Sequence, residues 1–576
     1  MLKLAVYLKN YKKECILGPL FKFLEAIFEL LMPTIMALIV NEGVARRDEG
    51  YVLRMGGAMV AMALLGYGSA FICQKYAARA SQGFGTALRN AVFRKVLSFS
   101  YAQTDRFGAP TLTNRITNDV SQLQLWVAMS IRLLTRAPFL CIGSIAMAFF
   151  LDRRLACILL AATPVLAAII FFITKNAAPL YRAYQRGLDR MASLLRQNLA
   201  GVRVIRAFAK TKRESARFRR ANGELTGTGL AIGRVSALFN PLTSTTVNLM
   251  VVLVLWAGGI DIQAGRLSQG VVIAFINYAN QILLALLIVS NLIILLTKSM
   301  ASAARVNEVL DTPAEMAAPE RAPEPPAGAP AVEFRDVSFA YAGTGNRALE
   351  HVGVSIPKGK TVGIIGGTGS GKTTFVNLIG RFYEATSGCV LVEGVPVGRW
   401  PLRTLRGKIG LVPQHAALFT GTVAENIRWG RPDAGMDEIR AAAVAAQADG
   451  FIRRLPRGYD SPVERGGANF SGGQRQRLTI ARALVADPPV LILDDAASAL
   501  DFLTEARLRE ALRKTGRGRT VLVVSQRVGT VRGADRILVF DGGRIVGDGT
   551  HEALLRECAA YREICLSQLP AKEARA

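Results

Sequence analysis

Residues 361 to 374 read TVGIIGGTGSGKTT. The first part is an apolar strand. The stretch Gly366-Gly367-Thr368-Gly369-Ser370-Gly371-Lys372-Thr373 then fits GxxxxGK[ST], with Thr374 and a helical NLIGRF segment behind it. Glycines at this spacing let successive backbone N–H groups converge on phosphate oxygens. Lys372 can reach the β- and γ-phosphates, and the Thr373 hydroxyl can ligate Mg²⁺. Further on, VLILDD closes a second apolar strand on Asp494, where a carboxylate can complete the Mg²⁺ shell. The two segments together predict a nucleoside-triphosphate site on an α/β sheet.

Upstream of this region the chain changes character. Residues 312–330 hold Pro313, Pro319, Pro323, Pro325, Pro326 and Pro330, a semi-rigid tether that cannot continue a helix. Before it lie six apolar runs, within 16–40, 52–74, 133–152, 155–177, 237–260 and 271–297, each near the 20 residues needed to cross about 30 Å of hydrocarbon. The first is too long, and too charged with Lys22, Glu25 and Glu29, for a cleaved signal peptide. The intervening charges fix the orientation. NEGVARRDEG carries two basic against three acidic residues and belongs outside. Residues 75–124 hold seven Lys/Arg against two acids and residues 175–234 fourteen against three, so both loops belong in the cytoplasm with the N-terminus.

The whole chain of 576 residues is 51% hydrophobic, which excludes a disordered protein. Its net charge of +28 sits on cytoplasmic loops and lipid-facing ends, so it is read as a solvated or headgroup-facing surface with no nucleic-acid partner. Seven cysteines without a CxxC pair and only three histidines argue against a disulfide scaffold or a structural zinc site.

Between the two nucleotide segments stands FSGGQRQR, residues 470–477, before the helical LTIARALVA. With it the chain resembles the ATP-binding cassette family. The resemblance implies that Ser471, Gly472, Gly473 and Gln474 open a helix whose N-terminus faces the γ-phosphate held by the opposite cassette. It also implies that Tyr341 stacks on adenine, that Gln414 in LVPQH senses Mg²⁺, and that Ser498-Ala499-Leu500-Asp501 is the loop following the Mg²⁺ aspartate. Six spans ahead of one cassette resemble the exporter-type (type IV) half-transporter. The implied fold is a membrane α-helical bundle followed by an α/β P-loop cassette, with ATP and Mg²⁺ as cofactors. Expected boundaries are 1–311 for the membrane domain, 312–331 for the linker, 332–566 for the cassette and 567–576 for a tail. The cell (inner or plasma) membrane is the expected location, with both termini and the cassette cytoplasmic. Short coupling helices are expected near Ser100–Phe107 and Phe208–Arg217.

Two departures bear on mechanism. The family's catalytic glutamate is replaced by Asp495, shorter by one methylene or about 1.5 Å, where a misplacement of about 1 Å can lower a rate about a hundredfold. Its switch histidine is replaced by Gln526, which can hydrogen-bond a phosphate but cannot take up a proton near neutral pH. Asp495, Gln526 and Gln414 are therefore expected at a slow catalytic site. The asymmetry resembles the degenerate-site subunit of a heterodimeric exporter. Expected partners are a second half-transporter, with a homodimer as the alternative, membrane lipid and a small-molecule substrate, with efflux of hydrophobic or amphipathic compounds as the activity. Uptake of a metal-siderophore-like ligand and an ATP-binding regulator or channel are the alternatives. Glu25 and Glu29, four apart on the first span, either neutralise Lys22 and Arg132 or Arg136, or line the translocation path and favour cations.

Overall fold

The computed structural model describes residues 2–313, 316, 319–341, 345–515 and 518–568. Residues 314, 315, 317 and 318 of the expected linker and 569–576 of the expected tail lie outside the described residues.

Among the described residues, six helices are long and apolar enough to cross a membrane: Lys3–Val44, Glu49–Leu97, Ala109–Leu151, Arg153–Ala200, Thr211–Gln263 and Gln269–Asp311. Five of the six expected spans fall inside them, and the third, 133–152, runs one residue past Leu151 to Asp152, which caps the next helix. The second helix has 49 residues, or about 74 Å at 1.5 Å per residue, so it must run far past the hydrocarbon. The chain forms two compact units. One comprises Met1–Leu97 with Pro110–Thr312, and the other Ser98–Ala109 with Pro313–Ala576.

In the first unit, Phe275, Tyr278, Leu155, Leu159 and Leu166 form the centre of the buried apolar core. The first span carries Pro33 inside its helix. A proline has no N–H to give the carbonyl four residues earlier. That carbonyl, of Glu29, instead accepts from Gln281 Nε2 of the sixth span at 3.2 Å. The neighbouring Leu30 carbonyl accepts from the Tyr278 hydroxyl at 2.9 Å, and the Thr34 hydroxyl lies 2.8 Å from the Tyr278 hydroxyl oxygen. The sixth span thus satisfies the backbone that the proline exposes, as apolar surroundings require.

The second unit is built on strands β1 (Val332–Ala340), β2 (Arg347–Ile356), β3 (Thr361–Gly366), β4 (Ser387–Val392), β5 (Val395–Pro396), β6 (Ile409–Val412), β7 (Gly421–Thr422), β8 (Pro462–Val463), β9 (Val490–Asp494), β10 (Thr520–Ser525), β11 (Arg536–Asp541) and β12 (Arg544–Gly549). An antiparallel sheet runs β2-β1-β4-β5, and β7 pairs with β8. The central sheet runs β12-β11-β3-β10-β9-β6, with β11, β3, β10, β9 and β6 mutually parallel. Strand β9 is buried throughout, which is why its sequence is continuously apolar rather than alternating.

The helix Tyr101–Phe107 of the first cytoplasmic loop belongs to this second unit. Ser100 and Gln103 close its N-terminus as a reciprocal capping box. Tyr101 stacks on Phe382 with ring centroids 4.8 Å apart, and Tyr383 donates to Asp105 Oδ2 at 2.7 Å. Burial and the Asp105 carboxylate push the Tyr383 hydroxyl up, so it stays a donor. In the second loop the short helix is Val202–Ala207, upstream of the expected 208–217. Ala209 has a left-handed φ of 53°, and Thr211 already begins the next long helix, so the turn precedes the expected place.

Candidate nucleotide site

The sheet order assembles the cleft. Strand β10 lies between β3 and β9, so three adjacent parallel strands present their carboxyl ends side by side, where α/β sheets bind ligands. Register pairs Ser525 with Ile365 and Val524 with Asp494. The glycine loop after β3, the Asp494-Asp495 pair after β9 and Gln526 after β10 are therefore neighbours. Thr368 to Thr374, Tyr341, Gln414, Asp494, Asp495 and Gln526 line one cleft.

The loop requires glycine where its backbone is left-handed and crowded. Gly371, the N-cap of the Lys372–Ile379 helix, has φ +100°, and a Cβ there would lie 2.6 Å from the Ala348 carbonyl. Gly366 and Gly367 do not line the cleft; their carbonyls accept from Lys372 Nζ at 2.9 and 2.6 Å, and Ser370 Oγ lies 3.2 Å from the same nitrogen. Burial pushes the Lys372 ammonium below its usual range, against the opposing pull of Asp495 and Asp494.

Thr373 Oγ1 donates to Asp494 Oδ1 at 3.1 Å. Burial raises the Asp494 carboxyl, Asp495 raises it further, and Thr373 lowers it. Burial also raises Asp495, opposed chiefly by Arg527 and Lys372. A buried and a half-buried carboxylate that repel each other beside a hydroxyl are a donor set that a divalent cation would stabilise, so the residues fit Mg²⁺. Gln414 Nε2 is 3.5 Å from Asp495 Oδ2, a long contact that holds the two side chains across the cleft. The Asp495 backbone is left-handed, with φ 48°, and its N–H donates to Val524 O at 3.0 Å.

Tyr341 reaches the cleft with its hydroxyl 2.9 Å from Thr374 Oγ1, and its ring meets Tyr383 and Phe339 edge-on. Ser471, Gly472, Gly473 and Gln474 lie outside this cleft and open the Gly472–Val485 helix. Ser471 Oγ accepts from Gln474 N at 3.3 Å, and Ser471 N donates to Gln474 Oε1 at 2.9 Å. A Cβ on Gly473 would come within 2.9 Å of the Ala499 carbonyl, whereas Gly472 has open space around it.

Two contributors escaped the sequence reading. Arg527, adjacent to Gln526, donates to Ser498 O at 3.3 Å and pulls the Asp495 carboxyl down; its charge beside Gln526 was the available signal. Gln568, on the Ala559–Gln568 helix, donates from Nε2 to Gln526 O at 2.8 Å and accepts from Val528 N at 2.9 Å. This two-point amide clamp holds the Gln526 loop from forty-two residues away. No local pattern announces it.

In the membrane unit, Lys22 donates to Glu25 at 2.7 Å and Arg136 to Glu29 at 2.6 Å. The structure brings both carboxylates into pairs, so the geometry matches the neutralisation reading and neither acid presents a free charge.

Comparison with known proteins agrees with this architecture. Residues 15–287 match the ABC transporter transmembrane region and residues 349–498 the ABC transporter domain. An uncharacterised ABC transporter ATP-binding protein of Mycobacterium tuberculosis is 38% identical over 98% of this chain and 97% of its own. A fatty acid ABC transporter ATP-binding/permease protein of Mycobacterium bovis is 37% identical over 83% of this chain and 75% of its own. The structure of a bacterial Atm1-family ABC exporter with ATP bound superposes with a TM-score of 0.81 at 25% identity, over 97% of this chain and 98% of that one. Six membrane-length helices followed by a cassette that binds and hydrolyses ATP make this chain a multi-pass member of the ABC transporter family, an exporter-type half-transporter with its ATP-binding domain in the cytoplasm.

Proposed function

We propose that the chain is one half of a heterodimeric pump for amphipathic compounds, holding ATP in its own cleft but hydrolysing it slowly there. The observation that carries this is the juxtaposition of Asp495 and Gln526 at adjacent strand ends of a cleft whose phosphate loop is otherwise complete. Lys372 and the loop N–H groups would bind the phosphates, and Thr373, Asp494 and Gln414 would hold Mg²⁺. A Mg²⁺ ion held there would supply positive charge to offset that of the phosphates. Asp495 reaches too little of the way to polarise a water at the γ-phosphate, and Gln526 can hold a phosphate oxygen without carrying positive charge.

Ser471 to Gln474 would complete the partner's faster site, because a capped helix N-terminus presents N–H groups to an anion. Likeness to an exporter favours outward transport over uptake or a purely regulatory role. A relative named for fatty acids supports an amphipathic cargo. The test is ATP turnover by the purified chain alone and with the half-transporter that copurifies with it. Slow turnover alone, restored in the pair, is expected. Fast turnover by the chain alone would refute the slow-site assignment.

A further inference from the structure

The charges of the first and third spans do not balance. The two acids Glu25 and Glu29 stand against three bases, Lys22, Arg132 and Arg136, leaving one positive charge in excess. The five lie at one level. The Arg136–Glu29 pair joins the two spans, the Lys22–Glu25 pair lies one turn toward the cytoplasm from Glu29 on the first, and Arg132 lies one turn toward the cytoplasm from Arg136 on the third. No further carboxylate is available there. The second helix has none after Glu49, the third has none between Asp119 and Asp152, and the sixth has none before Glu308.

Hydrogen-bond donors are in surplus too. Among the described residues Arg132 is half-buried and makes no ion pair or hydrogen bond. Arg136 Nε and Ser130 Oγ are buried without a partner. Ser130–Leu134 is a widened π-helical turn, a distortion that recurs at functional sites. An unpaired cation at this depth is costly unless a counter-charge meets it.

Glu29 and Arg136 each lie fifteen residues short of the external ends of their helices, Val44 and Leu151. At 1.5 Å per residue that is about 22 Å, which puts the cluster in the inner-leaflet half of a hydrocarbon layer about 30 Å thick. What is missing is an anion, at the depth of an inner-leaflet amphiphile whose chain points into the membrane.

We propose that Arg132 and Arg136, beside Lys22, Glu25 and Glu29, bind the anionic head group of an amphiphile. The inference rests on reading the chain as a pump for amphipathic compounds and narrows its cargo to acids, the opposite of a cation-selective path.

The test uses the full chain in phosphatidylcholine nanodiscs and radiolabelled dodecanoate, with empty discs as background and dodecanol and dodecyltrimethylammonium as competitors of equal chain length. Dodecanoate should bind at least about tenfold more tightly than either competitor. Arg132→Gln should weaken dodecanoate by about tenfold and leave dodecanol unchanged, while Arg132→Lys keeps most of the affinity. Glu29→Gln should strengthen dodecanoate binding severalfold, because it releases Arg136 from its internal partner. This variant reads the proposal even where Arg132→Gln does not fold.

Equal competition by the alcohol or the ammonium, indifference to Arg132→Gln in folded protein, or weaker binding in Glu29→Gln would overturn it. Doping the discs with phosphatidylglycerol separates the two sources of such a head group. Displacement of dodecanoate identifies an anionic phospholipid as the ligand, and no displacement identifies a free carboxylate; either supports the site. Neither nucleotide nor a partner half is present, so failure here is distinct from failure of the slow-site assignment.

Discussion

Lengthening the Asp495 side chain by one methylene, together with Gln526→His, should raise ATP turnover at the chain's own cleft. The Asp495 backbone is fixed by its bond to Val524 O and by the Ser498 hydroxyl bonding its carbonyl at 2.8 Å, neither of which involves the side chain. Asp495→Glu therefore moves only the carboxylate, about 1.5 Å further into the cleft. At about a hundredfold per ångström of misplacement, recovering even part of that distance corresponds to ten- to hundredfold in turnover, or about 1.4–2.7 kcal/mol of barrier. Gln526→His adds a group that can be cationic beside the transferring phosphate, while the Gln568 clamp grips only the backbone of residues 526 and 528 and is untouched.

Phosphate release by the full chain in nanodiscs at saturating MgATP is the assay, with nucleotide affinity and dimer mass measured alongside. Affinity should stay within about threefold, since Lys372 and its loop are unchanged. A rise below about twofold in a dimer that still binds ATP would refute the argument that side-chain reach and charge limit this site.

Three other outcomes follow from particular contacts. A Cβ at Gly472 would have open space around it, so Gly472→Glu should keep the chain's thermal stability while a carboxylate at the helix N-terminus repels the partner's nucleotide; ATPase activity of the pair should fall at least about tenfold, and retained activity would place that helix end away from the partner's phosphate. Tyr278→Phe leaves the Leu30 carbonyl without its donor and should lower stability by about 1–3 kcal/mol in detergent melts, with Gln281→Leu acting likewise on the Glu29 carbonyl. His551 is held below its ordinary range by burial and by Arg532, so the unfolded chain takes up a proton first as pH falls below about 6.5; stability is present above that pH and declines toward acid, and His551→Gln should flatten the change in melting temperature between about pH 7 and pH 5.

What the sequence made legible was what continuous or closely spaced residues encode. Six apolar runs, the basic loops and the glycine loop each carry their signal within about twenty residues, and the parallel sheet follows from strands that end on Gly366, Asp494 and Ser525. The second loop was misjudged because 208–217 carries the same three- and four-residue apolar spacing as the helices around it, and the turn at 201–210 has only Gly201 and the left-handed Ala209 to mark it. The choice between Arg132 and Arg136 as partner of Glu29 depended on how two spans are rotated, which neither span's composition encodes. The bonds of Gln281 and Tyr278 to the first span cross more than two hundred residues and leave an unbroken apolar pattern on both helices.

The Gln568 clamp has a consequence for synthesis. A cassette emerging from the ribosome presents its glycine loop, then Asp494 and Asp495, then Gln526, and only some forty residues later the amide that secures the last of them. The cleft can take shape around its strands before the loop carrying Gln526 is tied down, so a nascent cassette passes through a stage in which its parts are present but one is loose. An expression vector that ends the protein just ahead of residue 568 would preserve that stage permanently, giving a protein whose Gln526 loop is held poorly.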